Sequence, residues 1–233
     1  MSAQDGIRPP GTGATVALVL AFCLLFLGGI AILVFSTDHP FSYFSRDPAI
    51  ELGASPLVGV LSHAGVLLAW GAATVCAFAG ALVARARDLR HAAPLLLAAL
   101  GTAYLALDDL FLFHDDIYPQ ELGLDQDLVI VLYAVAAIAY LAAYRDFFRE
   151  HEWPLLALAL AALGASLLLD LVNVVYTSRI ERWLEESSKF VGLALLAAYL
   201  VRLSTHMLLE AYAVVSRRDA PVEAAAPVDA PVS

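Results

Sequence analysis

The amino-acid sequence predicts an all-α integral membrane protein, a bundle of six transmembrane helices with the N and C termini in the cytoplasm. Of its 233 residues, 61% are hydrophobic and only 15% are charged, and the mean hydropathy is +0.77. Soluble domains are about half apolar and about a quarter charged. A helix needs about 20 consecutive apolar residues to cross a bilayer, and the chain contains six such stretches.

These six apolar stretches define the predicted helices and, with them, the domain boundaries. The helices cover residues 14–36, 56–83, 92–113, 127–144, 154–176 and 183–208. We expect a disordered N-terminal segment at 1–13, a transmembrane domain at 14–213 and a disordered tail at 214–233. The tail is rich in Ala, Pro and acidic residues and has no large side chains to bury.

Two local signals refine the sixth helix. Ser178 is followed three residues later by Glu181, a spacing typical of a capping box. We therefore expect this helix to begin before the membrane and to exceed about 30 residues. Gly192, inside the helix, leaves room for a neighbouring helix to approach closely.

The distribution of arginines predicts the orientation. Cytoplasmic connections of membrane proteins are enriched in Lys and Arg, and here the arginines concentrate in alternate connections and in both terminal segments. They are Arg8, Arg85, Arg87, Arg90, Arg145, Arg149, Arg217 and Arg218. The opposite connections are rich in Asp and Glu. Together with the composition, this pattern predicts a multi-pass protein of a bacterial inner membrane.

The net charge argues against a nucleic-acid-binding protein, and the positions of the cysteines argue against a disulfide bond. The net charge of −10 and the pI of about 4.9 argue against nucleic acid as a partner, because phosphates require a basic surface. Cys23 and Cys76 both lie inside apolar stretches, so we interpret them as small buried hydrophobic side chains rather than as a disulfide. The expected partners are the lipid bilayer and a lipid or small-molecule ligand.

Ionisable residues inside the predicted helices concentrate at one depth. A charged side chain in the hydrocarbon costs about 2.5–3.5 kcal/mol and usually faces a bundle interior. Counted from the outer helix ends, His63, Asp108, Asp170 and Lys189 all lie about 7–10 Å deep. Further polar residues accompany them on the same helices: Tyr104, Asp109, Ser166, Asn173, Glu185 and Glu186. The second, third, fifth and sixth helices are therefore expected to frame an outward-facing acidic pocket.

The charge of this pocket predicts a bound cation. Five acidic side chains face one Lys and one His, and such a cluster requires either protonated acids or a metal ion. We expect His63, Asp108, Asp170 and Glu186 to bind a divalent ion, which oxygen and imidazole ligands restrict to Zn, Ca, Mg, Mn or Fe. Asp109 and Glu185 are the candidate catalytic residues. Asn173, Lys189, Ser166 and Tyr104 would support the site.

Three functions remain open from the sequence. A metal-activated water would support hydrolase-type chemistry on a lipid or periplasmic substrate. Protonated acids would instead serve a cation- or proton-coupled transporter or channel. A network that only fixes helix packing would belong to a non-catalytic accessory subunit. The sequence does not establish whether the protein is an enzyme.

Two residues near the pocket have simpler interpretations. In a continuous helix, His114 would point about 120° away from Asp108, so we interpret it as a solvated residue at a helix end. Glu185 and Lys189 stand four residues apart and could form an ordinary intrahelical ion pair. Neither interpretation accounts for Asp108, Asp109 or Asp170, which have no cation within their own helices.

Overall fold

The structure is a computed structural model that describes residues 12–37, 48–55, 57–87, 89–172 and 179–219. Every regular element in these ranges is helical. The α-helices are α1 (Thr12–Ser36), α2 (Pro48–Glu51), α3 (Val60–Ala86), α4 (Leu89–Phe111), α5 (Tyr118–Leu122), α6 (Gln126–Ala143), α7 (Arg145–Glu150), α8 (Trp153–Val172) and α9 (Arg179–Asp219). A π-helical turn, Phe113–Ile117, lies between α4 and α5.

Four of the helices are long and apolar enough to cross a membrane, which makes this an all-α, multi-pass membrane protein. They are α3, α4, α6 and the segment Trp183–Arg217 of α9. Two shorter apolar helices, Cys23–Ser36 within α1 and Trp153–Leu169 within α8, correspond to the other two predicted stretches. Each predicted apolar stretch thus overlaps a helix, because hydrophobic length is the strongest signal that a membrane sequence carries. Residues 173–176 of the fifth stretch lie outside the described residues.

Helix α9 extends beyond its apolar segment at both ends. It runs for 41 residues and begins directly after Ser178, so the early start and the unusual length predicted from the capping signal are confirmed. The helix also continues to Asp219, beyond the predicted domain boundary at 213. Residues 214–219 contain no Gly or Pro that would end a helix.

The chain divides into two compact units, Met1–Ala64 and Gly65–Ser233. In the first unit, α1 exposes large apolar side chains all around its surface, among them Leu24, Leu25 and Phe35. A helix without a polar face suits a lipid environment. Cys23 is exposed on this helix, so the prediction that it is buried was wrong, because an apolar side chain in a membrane helix can face lipid.

The second unit has a core of small and aliphatic side chains. Cys76 and Val83 of α3, Leu95 of α4 and Leu203 of α9 are buried within it, which confirms the burial predicted for Cys76. Helices α8 and α9 pack along each other. A Cβ atom placed on Gly192 would lie 2.7 Å from Leu163 Cγ, so the close approach predicted at this glycine is confirmed.

Charged side chains join α8 to α9 at the end of the bundle where α8 begins. Glu152 precedes α8 with a φ of 49°, a left-handed conformation that is rare for residues other than glycine. Arg202 of α9 donates two hydrogen bonds to its carboxylate, from Nε and Nη2, each 2.5 Å long. His206 Nε2 lies 3.4 Å from the same carboxylate. These contacts hold Glu152 in its unusual conformation.

We expect the contribution of Glu152 to stability to disappear in acid. The hydrogen bond from Arg202 lowers the pKa of Glu152 below its ordinary value. A lowered folded-state pKa stabilises the protein above the unfolded-state pKa of about 4.3, and the contribution is lost as the pH falls through the folded-state value. Glu152→Gln should therefore lower the unfolding temperature at neutral pH, and the difference from wild type should shrink in acid.

Thermal unfolding of the detergent-solubilised protein at several pH values measures this effect. Glu150→Gln is the matched control, because Glu150 is an exposed acid two residues away, and it should leave the unfolding temperature unchanged. An equal loss for Glu152→Gln at every pH would show that the carboxylate charge does not stabilise this end of the bundle.

Candidate functional site

A break in helical geometry after α4 builds the candidate site. The helix ends at Phe111, and Leu112 adopts a left-handed conformation with φ 54° and ψ 45°. This conformation costs a residue other than glycine about 1–2 kcal/mol, so the surrounding contacts must hold it. The chain then forms the π-helical turn Phe113–Ile117 and enters α5 at Tyr118. Single π-helical turns are frequent at functional sites.

The break turns His114 back onto Asp108. The side chain of Asp108 is only 4% exposed, and its Oδ2 lies 2.5 Å from His114 Nδ1. The backbone N–H of His114 donates to Asp108 Oδ1 at 3.1 Å. The interpretation of His114 as a solvated residue pointing away from Asp108 was wrong, because it assumed an uninterrupted α-helix through Leu112.

Three tyrosines continue the network from Asp108. Tyr133 of α6 donates its hydroxyl to Asp108 Oδ1 at 2.9 Å. Its oxygen lies 2.9 Å from the Tyr104 hydroxyl, which lies 2.7 Å from the Tyr118 hydroxyl. The bond to Tyr104 raises the pKa of Tyr118 above its ordinary value, so Tyr118 is protonated at neutral pH. The network thus contains a chain of three hydroxyls that ends on the buried carboxyl group of Asp108.

On its other side, Asp108 is connected to the protein surface through His114. The His114 Nε2 atom lies 3.2 Å from Asp115 Oδ1, and Gln126 Nε2 donates to the same oxygen at 2.7 Å. Side-chain exposure rises along this path, from 4% at Asp108 to 20% at His114 and 45% at Asp115. The imidazole therefore bridges a buried and a half-exposed carboxylate.

An ion pair lies beside the contact between Asp108 and His114. Asp109, the next residue of α4, accepts a hydrogen bond from Lys189 Nζ of α9. Glu186 of α9 lies within electrostatic reach of the same ammonium. The two adjacent acids of α4 thus have separate partners, Asp108 the imidazole of His114 and Asp109 the ammonium of Lys189.

The other predicted site residues lie on α9, on α8, in the first unit or outside the described residues. Glu185 and Glu186 are half-buried on α9, and Ser166 is buried on α8. The side chain of Asp170, on the same helix, and the whole of Asn173 lie outside the described residues. His63 belongs to the first unit, where its exposed ring lies beside Gly59. Within the ranges that the structure describes, no group of three or more His, Cys, Asp or Glu side chains could hold a metal ion.

Several residues of the site were not predicted from the sequence. Tyr133 and Gln126 come from α6, which corresponds to the fourth predicted helix and was not among the four expected to frame the pocket. His114 was assigned to solvent. One sequence signal was available, because Pro119 favours the first turn of a helix and so indicates that a new helix starts near Tyr118.

We call these seven residues the Asp108 network: Tyr104, Asp108, His114, Asp115, Tyr118, Gln126 and Tyr133. All but Gln126 carry a group that can gain or lose a proton. Hydrogen bonds connect the tyrosines, Asp108 and His114, and the 3.2 Å approach of His114 Nε2 to Asp115 Oδ1 continues the line to the half-exposed carboxylate. Such an arrangement can bind a proton at the surface and hold it in the interior.

Comparison with known proteins places the chain in a family. No curated protein and no solved structure matches it. A family described as a domain of unknown function, DUF8692, matches residues 14–203. This range contains the whole Asp108 network and covers more than half of the sequence. The chain therefore belongs to the DUF8692 family.

Proposed function

We propose that this membrane protein moves protons through the Asp108 network, as part of a proton-coupled transporter or channel. The observation that carries the proposal is the line of closely spaced titratable groups that runs from Asp108, which is buried, through His114 to Asp115, which is half-exposed. Intramembrane acids paired with histidine are typical of proton relays in pumps and transporters.

The histidine is the proposed exchange point. Imidazole is the side chain that gains and loses protons in the physiological pH range. When both ring nitrogens of His114 carry a proton, one can be donated to Asp108 and the other to Asp115. A proton arriving at Asp115 from solvent can therefore pass to His114, with Asp108 as the buried counter-charge that receives it.

The tyrosines are the proposed inward branch. A hydroxyl donates one hydrogen bond while it accepts others, so Tyr133 and Tyr104 can pass a proton by exchanging donor and acceptor roles. Both hydroxyls lie within hydrogen-bond distance of their neighbours. Protonation of Asp108 would remove its negative charge and release the hydroxyl of Tyr133 to turn toward other acceptors.

The direction of this movement depends on the proposed membrane topology. We propose that α1 and α8 cross the bilayer together with the four longer helices, which gives six spans with both termini in the cytoplasm. The Asp108 network would then face the outer side of a bacterial inner membrane. The arginine distribution supports this orientation.

The contacts of Asp108 and Asp109 favour proton movement over metal-dependent hydrolysis. The expectation of a metal depended on acids without nearby cations, and these two acids have His114 and Lys189 as partners. Asp108 already accepts hydrogen bonds from the backbone N–H of His114 and the hydroxyl of Tyr133 and contacts the His114 ring, and a metal ion would have to displace these groups. In a non-catalytic accessory subunit, the network would only fix the packing of the helices.

A proton-flux assay tests the proposal. Purified protein is placed in sealed vesicles that contain a pH-sensitive dye, with the membrane potential clamped by potassium and valinomycin, and the outside is acidified. We expect wild type to dissipate the pH gradient faster than protein-free vesicles do. Asp108→Asn and His114→Gln should reduce the rate to that of protein-free vesicles, because each interrupts the relay.

Asp127→Asn is the matched control for the flux assay. Asp127 is an exposed acid in the first turn of α6, outside the network, so its variant should conduct like wild type. Conduction by Asp108→Asn at the wild-type rate would contradict the proposal, as would a wild type that behaves like empty vesicles. A stoichiometric divalent ion found by elemental analysis and lost in Asp108→Asn would favour the metal-dependent enzyme instead.

A further inference from the structure

The core of the second unit contains a polar group without a protein partner. Tyr199 of α9 is 1% exposed and is the largest fully buried side chain among the described residues. Its hydroxyl has no hydrogen-bond partner in the part of the chain that the structure describes. A buried hydroxyl loses its hydrogen bonds to water on folding, so an unpaired one destabilises the folded state unless something else bonds to it.

Other polar atoms occupy the same core. Cys76 and Ser204 are both buried, with Sγ and Oγ 3.4 Å apart, and the Cys76 thiol lies 3.8 Å from the carbonyl oxygen of Leu200. Tyr140 of α6 packs against the same cluster and donates its hydroxyl to the carbonyl of Pro94 at 2.7 Å. This part of the core therefore offers several donors and acceptors in an otherwise apolar bundle.

We propose that the Tyr199 hydroxyl binds an internal water molecule and that this water continues the proton path inward from the Asp108 network. Buried waters are common in proteins, where each makes about three hydrogen bonds to polar groups that would otherwise be unpaired. The part of this proposal that places the water in a proton path rests on the proposed function.

The tyrosines lie at successive depths between the Asp108 network and the core that contains Tyr199. Tyr133, a member of the network, and Tyr140 are seven residues apart on α6, so they lie on one helix face about 10 Å apart along the axis. Tyr140 contacts the core that contains Tyr199. One helical turn after Tyr199, Arg202 binds Glu152 at the other end of the bundle. Polar groups thus occur at successive depths from one end to the other.

Hydroxyl-radical labelling tests the water itself. Brief X-ray irradiation makes radicals from bound as well as bulk water, so buried side chains beside an internal water become oxidised. In the full-length protein we expect oxidation of Tyr199 and Cys76. Met207 provides an internal control, because it is 2% exposed in the same core and its side chain reacts readily with radicals. Absence of labelling at Tyr199, or equal labelling of Met207, would overturn the proposal.

The flux assay tests the role of the water. Tyr199→Phe removes only the hydroxyl, and we expect it to reduce proton flux to the rate of protein-free vesicles. Tyr212→Phe is the control, because Tyr212 lies on the same helix with its side chain exposed, and it should conduct like wild type. Wild-type flux through Tyr199→Phe would overturn the inward path.

The two proposals can fail separately. If wild type conducts and Tyr199→Phe conducts equally, proton movement stands and the path through Tyr199 is wrong. If wild type does not conduct, the proposed function is wrong, and the labelling experiment alone decides whether Tyr199 binds water. Labelling does not depend on flux, so it gives an answer in both cases.

Discussion

Replacing Asp108 with alanine is expected to lower the free energy of unfolding by about 1–3 kcal/mol, the cost of leaving a buried hydrogen-bonding group without its partner. The Asp108 carboxylate is almost completely buried and interacts with the ring and backbone of His114 and the hydroxyl of Tyr133. Alanine leaves all three groups without their acceptor, and an unpaired buried donor carries its full desolvation penalty. Denaturant unfolding of the detergent-solubilised protein measures the loss.

Two further variants make this prediction specific. Asp108→Asn keeps the volume and one acceptor oxygen, so we expect a smaller loss than for alanine. Asp127→Ala removes an exposed acid from the start of α6 and should change the free energy of unfolding little, as surface substitutions usually do. If Asp108→Ala and Asp127→Ala were equally stable, the hydrogen bonds to Asp108 would not hold the turn after α4 in place.

The positions of the helices could be predicted because they depend on hydrophobic length alone. For example, the predicted stretch 127–144 differs by one residue at each end from α6 (Gln126–Ala143). The π-helical turn Phe113–Ile117 could not be predicted in the same way. The residue that breaks the helix is Leu112, and neither Gly nor Pro marks that point. Tertiary contacts, which a local pattern does not contain, hold Leu112 in its left-handed conformation.

The candidate site could be predicted only in part, because its contacts also depend on tertiary packing. Depth counting selected His63, Asp108, Asp170 and Lys189, because distance along a helix follows directly from residue number. The pairing of Lys189 with Asp109 depends on how α4 and α9 face each other, which residue numbers do not give. Likewise, Tyr133 reaches Asp108 only because α6 packs against the turn after α4. The depth of a residue depends on one helix alone, whereas its contact partner depends on how two helices pack.

The same dependence on helix packing affected the functional prediction. Summing the acids of the pocket without their partners left several negative charges uncompensated and so called for a metal ion. In the structure, Asp108 and Asp109 are adjacent in sequence but have different partners, the imidazole of His114 and the ammonium of Lys189. A side chain judged to be solvated is the first of these partners. Both acids therefore have a partner within the protein.

Replacing Gly192 with alanine is expected to lower the free energy of unfolding by about 1–3 kcal/mol, the usual effect of overpacking a core. The new methyl group would lie 2.7 Å from Leu163 Cγ and 2.9 Å from the backbone N of the same residue. A leucine side chain can change rotamer, but the backbone of α8 can move only if the two helices separate. Denaturant unfolding in detergent again measures the change.

Gly164→Ala is the control for this effect. Gly164 is the next residue of α8, and a Cβ atom placed on it would meet nothing within 4 Å. Because alanine favours a helix over glycine by about 1 kcal/mol, this variant should be as stable as wild type or more so. A stabilising effect of Gly192→Ala as well would mean that helix propensity outweighs the contact, and that α8 and α9 can separate at Leu163 without loss. A destabilising effect at Gly192 alone would show that the close contact between these two helices contributes to the stability of the bundle.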